Sequence, residues 1–328
     1  MPKLDIIIPR YQEPQSIINI LLQSISIQTG IDFSSISVII VEDGSKERFS
    51  ENFINQFKFP VSILHLDENK GVSNARNVGL FNATSDYVMF CDADDSFHTT
   101  TAIATILQNC AAAPVDIYTY AFLSEGKNAE GKYTYSPVTN NNTFVHGKVY
   151  RRQFLMDNQI FFNPALKVHE DGYFNILANS YTKNQKVLGD IIYMWRHNAA
   201  SVTRQDPAFL AKTLKNFVIS SIALTMKLES KPEPDITFIT NSVIHNILYL
   251  YVQTQLPYWK GQDDHKKLCE QFIAYYVQHF HKYYDAATDQ LKQAYWINEI
   301  TSGLKQGYSA SAENFLSWLE RMKTIEVK

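Results

Sequence analysis

The stretch Tyr87-Val88-Met89-Phe90-Cys91-Asp92-Ala93-Asp94-Asp95 runs from an uninterrupted apolar segment directly into three acids. A short segment that is apolar at every position predicts a strand covered on both faces, as in a parallel sheet with helices on either side. The apolar run ends at Cys91, so the acids should follow the carboxyl end of this strand. Because ligands of open α/β sheets bind at the carboxyl ends of the strands, the stretch predicts both a fold class and a site.

Other apolar runs alternate with helical patterns through the first half of the chain. Apolar residues spaced by three and four predict a helix that Pro14 opens, and residues 71–83 also have a helical character. Residues 128–142, rich in Asn, Gly, Thr and Lys, predict an exposed loop or hairpin. Strands alternating with helices predict an α/β fold with a mostly parallel central sheet. The predicted strands are Leu4–Ile8, Val38–Val41, Val61–Leu66, Tyr87–Cys91 and Leu188–Trp195.

From Asp206 onward, the apolar residues are spaced as in helices to the end of the chain. This change predicts two domains, an α/β domain over residues 1–205 and an all-helical domain over residues 206–328. The simplest role for the second domain is a helical cap that completes the core. Its many aromatic residues favour acceptor binding or assembly into a homo-oligomer, because interfaces are enriched in aromatic side chains. These residues are Tyr249, Tyr251, Tyr258, Trp259, Tyr275, Tyr276, Tyr283 and Tyr284.

Composition excludes several classes of protein. The chain has 328 residues, of which 45% are hydrophobic, and its net charge of −3 offers no global positive field for nucleic acid. Its three cysteines favour a reducing compartment, because they cannot all pair and show no metal-binding spacing. The uncharged stretch Ile236–Trp259 contains amides that would be costly in lipid, and Asp5 and Pro9 interrupt the first apolar run. We expect a cytoplasmic protein, soluble or peripherally bound at the inner face of the membrane.

Polar residues follow four successive predicted strands and should meet at one edge of the sheet. For Asp43 or Asp95 taken alone, a turn or helix-capping role is an equally good interpretation. Four strand ends that deliver acids and amides to the same edge nevertheless predict a binding site. The residues concerned are Tyr11 and Glu13, Glu42 and Asp43, Asp67 and Asn69, and Asp92 to Asp95.

Three motifs carry chemistry, and each also has an ordinary structural interpretation. Asp92 and Asp94 alternate at a strand end and can direct two carboxylates at one divalent cation, although roughly one Asp-x-Asp triplet is expected by chance in a chain of this length. Arg76 falls in the first turns of the helix after Gly71 and suits an anion, or it is a solvated surface arginine. Glu170 and Asp171 fit a helix start, and a functional role for them needs a partner site across the crevice.

Together these motifs resemble family 2 glycosyltransferases of the GT-A fold over residues 1–205. The matching segments are 6–12, 41–45, 69–79, 92–95 and 170–174; residues 147–152 and 195–204 are similar to members that build bacterial cell-surface polysaccharides. Two positions depart from the usual pattern. Arg10 stands where the first strand normally has threonine before its tyrosine, and Glu42 replaces the first acid of the usual Asp-Asp-Gly-Ser.

The resemblance implies a nucleotide-sugar donor, most often a UDP-sugar, and assigns roles around it. Asp43 would accept a hydrogen bond from the base, which Pro9 and Tyr11 would flank. Asn69 and Arg76 would hold the nucleoside and the diphosphate. Asp92 would contact the ribose, and Asp94 would bind Mn²⁺ or Mg²⁺. His197 would complete the metal shell or is an exposed loop histidine, and Glu13 and Ala93 complete the set of donor-site residues.

Asp171 is the expected general base, with Glu170 as the second choice. A base opposite the leaving group implies direct displacement with inversion, onto a hydroxyl of a glycan, a teichoic-acid polyol phosphate or a lipid-linked acceptor. Loops around 122–150 and 195–205 would bind this acceptor. Two alternatives remain. One is a nucleotidyltransferase, which normally has glycines after its first strand. The other is a non-catalytic homologue that binds sugar or partners through its helical tail, against which the retained acids argue. A Rossmann dehydrogenase is excluded because no GxGxxG follows the first strand.

Overall fold

The computed structural model describes residues 2–198, 213–305 and 311–327. It divides the chain into two compact units, Met1–Ala199 and Ala200–Lys328. The predicted domain boundary at 205/206 lies outside the described residues. Each unit is described by itself below.

The first unit is built on one mixed sheet of nine strands, in the order β3-β2-β1-β4-β8-β6-β9-β5, with β7 paired to β6. Strands β1 to β4 are mutually parallel, as the apolar runs predict. The far half is largely antiparallel, and only β6 and β9 run parallel there. The strands are β1 (Leu4–Arg10), β2 (Ile36–Asp43), β3 (Val61–Leu66), β4 (Tyr87–Phe90), β5 (Ser96–Phe97), β6 (Ile117–Lys127), β7 (Tyr133–Val138), β8 (Lys148–Arg151) and β9 (Gln185–Trp195).

Helices of the first unit connect these strands. The predicted loop or hairpin over 128–142 is a hairpin, in which β6 and β7 pair antiparallel. The helix expected over 71–83 is α3, one residue shorter at each end. The helices are α1 (Gln15–Ser26), α2 (Glu51–Ile54), α3 (Val72–Asn82), α4 (Ala102–Ala112), α5 (Arg152–Asp157) and α6 (Glu170–Tyr181).

The position of α3 depends on a close approach to the sheet. A Cβ atom at Gly79 would lie 2.3 Å from the Ile7 Cγ2 atom and 3.4 Å from the Val41 Cγ2 atom. Only a glycine lets the helix come this near to β1 and β2. The carboxyl ends of the parallel strands are therefore lined by the loops after β1, β2, β3 and β4 and by the first turns of α3.

The second unit is helical throughout its described residues. Its helices are α7 (Leu214–Glu229), α8 (Ile236–Thr254), α9 (Asp263–Ala286), α10 (Asp289–Lys305) and α11 (Ala312–Thr324). None of the eight aromatic residues singled out from the sequence is exposed, and Tyr251, Trp259, Tyr276 and Tyr284 are fully buried. They pack largely within the unit's own core. Within the described parts of the chain, no helix has both the length and the apolar character needed to cross a membrane.

Candidate active site

Arg76 lies at the centre of the site. The Arg76 side chain is 3% exposed, and its Nη2 atom donates to Asp92 Oδ1 at 2.8 Å. Its Nη1 atom contacts Asp171 Oδ1 at 2.6 Å and Glu170 Oε1 at 3.2 Å. The segment after β4 and the start of α6 therefore face each other across one guanidinium group. A partner for the Glu170-Asp171 pair across a crevice is thus present.

The four charged side chains of this cluster shift one another's pKa values. Burial opposes the charge of Arg76, but Asp171, Asp92 and Glu170 outweigh it and raise its pKa. Burial, followed by the neighbouring Asp171, raises the pKa of Glu170 to about 7. Burial acts to raise the pKa of Asp92 as well, but Arg76 and then His146 lower it overall. Glu170 therefore keeps its proton to a higher pH than an ordinary glutamate does.

A second group of possible metal ligands lies beside this cluster. Ligand atoms of Asp92, Asp95 and His146 come within 4.8 Å of one another. Asp95 is fully buried, and one of its carboxylate oxygens accepts from the Tyr193 hydroxyl at 2.6 Å. Burial, then Asp92 and Asp94, raise the pKa of Asp95. Within the described residues, the His146 Nδ1 atom is buried and has no hydrogen-bond partner. Together the three side chains offer two carboxylates and an imidazole, a donor set that suits a divalent cation such as Mn²⁺.

The metal ligands predicted from the sequence, Asp94 and His197, have other neighbours. Asp94 Oδ2 accepts from the Asn198 side chain at 2.8 Å. The backbone N–H of His197 donates to Glu125 at 2.9 Å, and its ring lies 6.2 Å from that of Tyr133. Of the predicted metal ligands, only Asp92 belongs to the three-residue group. Sequence reasoning missed His146, although it directly precedes the segment 147–152 that resembles the family.

The predicted nucleotide end of the site lies at the ends of β1 and β2. Tyr11 is 47% exposed, and its backbone N–H donates to the Glu13 carboxylate at 2.5 Å. Burial raises the pKa of Glu13, against the backbone hydrogen bonds that lower it, and the charge of Asp94 raises it further. Glu13 therefore lies within electrostatic reach of Asp94. Pro9 is the residue of β1 that pairs in register with Val41 of β2, and Ala93 is buried between the acids of the Asp92–Asp95 segment.

Asp43 holds the loop that precedes α3. Its two carboxylate oxygens accept from the backbone N–H groups of Lys70 at 2.9 Å and Gly71 at 2.7 Å. Asn69 is exposed, and its side-chain oxygen also accepts from Gly71, at 3.0 Å. With these hydrogen bonds, Asp43 has the turn role that the sequence left open for it. The oxygens keep further lone pairs, so they leave room for a bond to a base.

The two departures from the family pattern are partners in the structure. Arg10 Nη1 lies 2.8 Å from Glu42 Oε1, and each side chain is 1% exposed. The Arg10 guanidinium also lies 4.1 Å from the centre of the Phe49 ring and donates to the Glu13 backbone carbonyl at 2.8 Å. Glu42 in turn contacts His65 Nδ1 at 2.5 Å. Arg10 therefore points into the protein and braces the loop that carries Tyr11 and Glu13.

A tightly bonded turn supports Asp171 from the other side; the sequence placed its residues in the acceptor loop around 122–150 but did not predict their contact with Asp171. The backbone N–H of Val145 donates to Asp171 Oδ2 at 3.3 Å. Lys148 is buried and donates to the carbonyls of Asn141 at 2.5 Å and Phe144 at 2.7 Å. Burial lowers the pKa of Lys148 to about 7. Lys148 is the first residue of β8, and a buried lysine at the start of a strand has no sequence signal of its own.

A cavity of about 780 Å³ opens elsewhere, near the amino end of β4. It is lined by Asp86, Tyr87, Arg151 and Arg152 among others. The Asp92 end of β4 lies at the opposite edge of the sheet. The cavity is therefore separate from the candidate active site.

Comparisons with known proteins show which family the chain is similar to. Residues 5–167 match the model of the Glycosyl transferase family 2. Poly(ribitol-phosphate) beta-N-acetylglucosaminyltransferase TarS of Staphylococcus aureus is 30% identical over 213 residues, which cover 60% of this chain and 35% of that protein. This chain spans about a third of the length of the first curated relatives that it matches, 30% to 35%.

Solved structures share the fold. TarS residues 1–349 superpose with a TM-score of 0.67 at 16% identity, covering 94% of this chain and 93% of that one. The same fragment in complex with UDP-GlcNAc gives 0.59 at 15% identity, covering 98% and 88%. The mannosyltransferase PcManGT of Pyrobaculum calidifontis, in complex with GDP-Man and Mn²⁺, gives 0.53 at 15% identity, covering 98% and 84%. At these identities the likeness concerns the fold alone.

Proposed function

Because this chain belongs to the family 2 glycosyltransferases and has their GT-A fold, we propose that it transfers a sugar from a UDP-sugar to an acceptor hydroxyl with inversion. The observation that carries the proposal is the Arg76 guanidinium bound on one side by Asp92 and on the other by Glu170 and Asp171. A donor-side acid and a candidate base are thereby held against one guanidinium group. Direct displacement requires that arrangement.

The donor is proposed to be a UDP-sugar, with its nucleotide at the ends of β1 to β3. The TarS fragment that shares the fold is known in complex with UDP-GlcNAc, which supports this class of donor. Tyr11 is exposed enough to pack against a base, and Asp43 and Asn69 lie at the neighbouring strand ends. Pro9 would complete the contact with the base.

A divalent cation, Mn²⁺ or Mg²⁺, supplies Lewis-acid stabilisation of the departing diphosphate when it is bound. Asp92 and Asp94 would hold it, with His197 as the proposed further ligand and Asp95 and His146 as nearby donors. The PcManGT complex with Mn²⁺ supports a metal in this fold. The identity of the ion in this protein is part of the proposal.

Asp171 is proposed as the general base. Arg76 fixes one of its oxygens at 2.6 Å and the Val145 N–H fixes the other at 3.3 Å, so the carboxylate is oriented before an acceptor arrives. The acceptor hydroxyl becomes acidic only as its oxygen bonds to the oxocarbenium-like carbon. A carboxylate therefore suffices to take the proton, and such a group contributes about 10²–10⁴-fold to the rate.

Arg76 is proposed to position the acids. Both of its Nη atoms are already engaged by carboxylates, so it orients Asp92 and Asp171. The role in diphosphate binding that the resemblance implies would require one of these contacts to be exchanged. Glu170, whose pKa burial and then Asp171 raise to about 7, is the weaker candidate for the base.

The acceptor is proposed to be a hydroxyl of a surface glycan, a polyol phosphate or a lipid-linked precursor, modified on the cytoplasmic side of the membrane. The name of TarS, a poly(ribitol-phosphate) transferase, supports the polyol class, and the family resemblance supports the glycan class. The helical second unit is proposed to bind the acceptor or to mediate assembly.

One experiment tests the whole proposal. UDP release from a panel of UDP-sugars is measured with Mn²⁺ and with EDTA, for the natural protein, for Asp171→Asn and for the exposed-acid control Asp190→Asn. We expect release that EDTA abolishes, a loss of at least about 10²-fold in Asp171→Asn with UDP binding retained, and no change in the control. Release of pyrophosphate from a nucleoside triphosphate would indicate a nucleotidyltransferase, and UDP binding with no turnover would indicate a non-catalytic homologue. Near-normal turnover by Asp171→Asn would remove Asp171 from its role.

A further inference from the structure

Phe144 is an exposed aromatic ring on the turn that supports Asp171. Its side chain is 38% exposed, whereas its neighbours Val145 and His146 are buried. Val145, the next residue along the chain, donates its backbone N–H to Asp171 Oδ2 at 3.3 Å. The ring therefore lies one residue from the contact with the proposed base.

The ring is held in place by a cluster of other rings. Phe144, His146 and Trp195 form a triangle with centroid distances of 5.8, 5.3 and 5.5 Å. His146 is nearly parallel to Phe144, at 17°, and to Tyr193, at 14°. Phe144 therefore packs against the buried rings of His146 and Phe122 and the half-buried ring of Trp195.

The backbone beneath the ring is also fixed. The Asn141 side chain accepts from the N–H groups of Thr143 and Phe144 at 2.9 Å each and donates to the Phe144 carbonyl at 2.8 Å. The buried Lys148 ammonium donates to the same carbonyl at 2.7 Å. Asn175 joins the turn to α6 by donating to the Thr143 carbonyl at 2.8 Å and to the Asp171 carbonyl at 2.9 Å. The turn and the base thus form one rigid assembly.

We propose that the Phe144 ring, braced by His146 and Trp195, is the platform on which a pyranose ring of the acceptor stacks while its hydroxyl reaches Asp171. This inference rests on the proposed function and deepens it by naming the acceptor class. The C–H face of a pyranose is apolar and matches a flat aromatic surface, whereas its rim of hydroxyls stays in water. A polyol phosphate has no such face. The geometry therefore favours a glycan over a polyol phosphate.

The position of Phe144 relative to the sheet favours the acceptor over the donor as its ligand. The proposed nucleotide contacts follow β1, β2 and β3, on one side of β4 in the strand order. Phe144 precedes β8, and Trp195 ends β9, both on the other side of β4. Asp92 follows β4 itself, between the two. A ligand on Phe144 would approach the reacting centre from the side away from the nucleotide.

Saturation-transfer NMR tests the platform with defined probes, in the presence of UDP and Mn²⁺. The probes are methyl β-D-glucopyranoside, methyl β-D-galactopyranoside, methyl N-acetyl-β-D-glucosaminide and, as the ring-free comparison, ribitol 5-phosphate. We expect at least one pyranoside to bind the natural protein through its ring C–H protons. Its affinity should fall at least about fivefold in Phe144→Leu, which keeps an apolar side chain without the ring face, and persist in Phe144→Tyr.

Phe81→Ala is the matched control, because Phe81 is 51% exposed and packs on the Phe161 ring at 5.0 Å on another part of the unit. It should leave pyranoside binding unchanged. Equal thermal unfolding of Phe144→Leu and the natural protein verifies that the variant is folded. If Phe144→Leu unfolds early, Phe144→Met takes its place, because it also keeps an apolar side chain without a ring. Binding of no pyranoside, equal binding by Phe144→Leu, or Phe144-dependent binding of ribitol 5-phosphate alone would each overturn the platform. The transferase proposal would fail on a different result, the absence of UDP release, whatever binds to Phe144.

Discussion

At the scale of single residues, the ion pair of Arg10 and Glu42 is the clearest case of two unusual positions that depend on each other. Both side chains are 1% exposed, and Glu42 Oε1 also accepts from the Phe49 backbone N–H at 3.1 Å. A buried pair contributes little beyond its own desolvation, but the loss of one partner leaves an uncompensated charge. The pair therefore constrains the loop after β1 more than it adds to stability.

Arg10→Met should lower the free energy of unfolding by about 3–5 kcal/mol, because it leaves the Glu42 carboxylate buried without its arginine. The double variant Arg10→Met/Glu42→Gln should lose less than the sum of the two single changes. Urea unfolding of the full chain measures both. Lys132→Met is the control, because the side chains of the Lys132–Glu130 pair are 76% and 70% exposed and should contribute less than about 1 kcal/mol. Equal losses in Arg10→Met and Lys132→Met would contradict the prediction.

Glu170 makes the stability of the protein depend on pH in a defined direction. Burial, followed by Asp171, raises its pKa from 4.5 to about 7, so between these values the folded protein keeps a proton that the unfolded chain has released. The contribution of this group is fully present below about pH 4.5 and is lost as the pH rises through 7. Stability should therefore fall across this window as the pH increases.

Glu170→Gln should remove that part of the pH dependence. We expect the variant to be more stable than the natural protein at pH 8, by up to about 3 kcal/mol, with the difference shrinking towards pH 4.5. Urea midpoints recorded at several pH values measure the effect, with Glu130→Gln as the exposed-acid control. Parallel pH profiles for the natural protein and Glu170→Gln would show that Glu170 is not the titrating group.

At the scale of elements, α3 connects the packing of the sheet to the geometry of the site. Gly79 lets the helix rest on β1 and β2, and Arg76 lies three residues earlier on the same helix. A displacement of α3 from the sheet would therefore move the guanidinium that joins Asp92 to Asp171. Close packing transmits such shifts because interiors have few voids to absorb them.

Gly79→Ala should destabilise the protein by about 1–3 kcal/mol, since its Cβ would overlap the Ile7 side chain at 2.3 Å. Gly172→Ala is the matched helical control, because its Cβ would meet Thr143 Cγ2 at an ordinary 3.5 Å. That change should be neutral or stabilising by up to about 1 kcal/mol, as alanine favours the helix. Thermal unfolding compares the two variants. If both are equally stable, the close approach of α3 does not limit the fold.

At the scale of the whole molecule, the chain consists of two compact units. The first contains strands and helices, and the described residues of the second form helices. All of the proposed donor and catalytic residues belong to the first unit. In the second, the aromatic residues that suggested an interface are buried or half-buried, so the argument for assembly now depends on aliphatic surface. Large exposed apolar side chains there are Met226, Ile236, Leu268, Ile297 and Leu316.

We expect the full chain to form a homo-oligomer at micromolar concentration if these side chains share one surface patch, because burial of a contiguous apolar patch favours association. Multi-angle light scattering of the full chain and of a chain ending at residue 205 tests the expectation. The shorter chain should be monomeric and should still bind UDP, since the proposed nucleotide contacts lie before residue 95. A monomeric full chain would contradict assembly, and a shorter chain that no longer binds UDP would contradict the independence of the α/β domain.

The sequence by itself determined the parallel half of the sheet, a helix over 71–83 that the structure has at 72–82, and the position of Asp92 just after β4, which ends at Phe90. These features follow from local patterns, because uninterrupted apolar runs form buried strands and spacings of three and four form helices. Motif order also pointed to the family. The antiparallel far half of the sheet did not follow from such patterns, since strand order is not written in the periodicity of any one strand.

Only the tertiary structure decided which side chains meet. Arg76 and Asp171 are 95 residues apart in the chain, and Arg10 and Glu42 are 32 apart, so neither pair has a local signal. His146 enters the acidic group of Asp92 and Asp95 because it lies just before β8, and β8 pairs with β4, the strand that these acids follow. The physical reason is that an ion pair or a ligand group requires charges a few ångströms apart, and that distance is set by long-range packing rather than by neighbours in the chain.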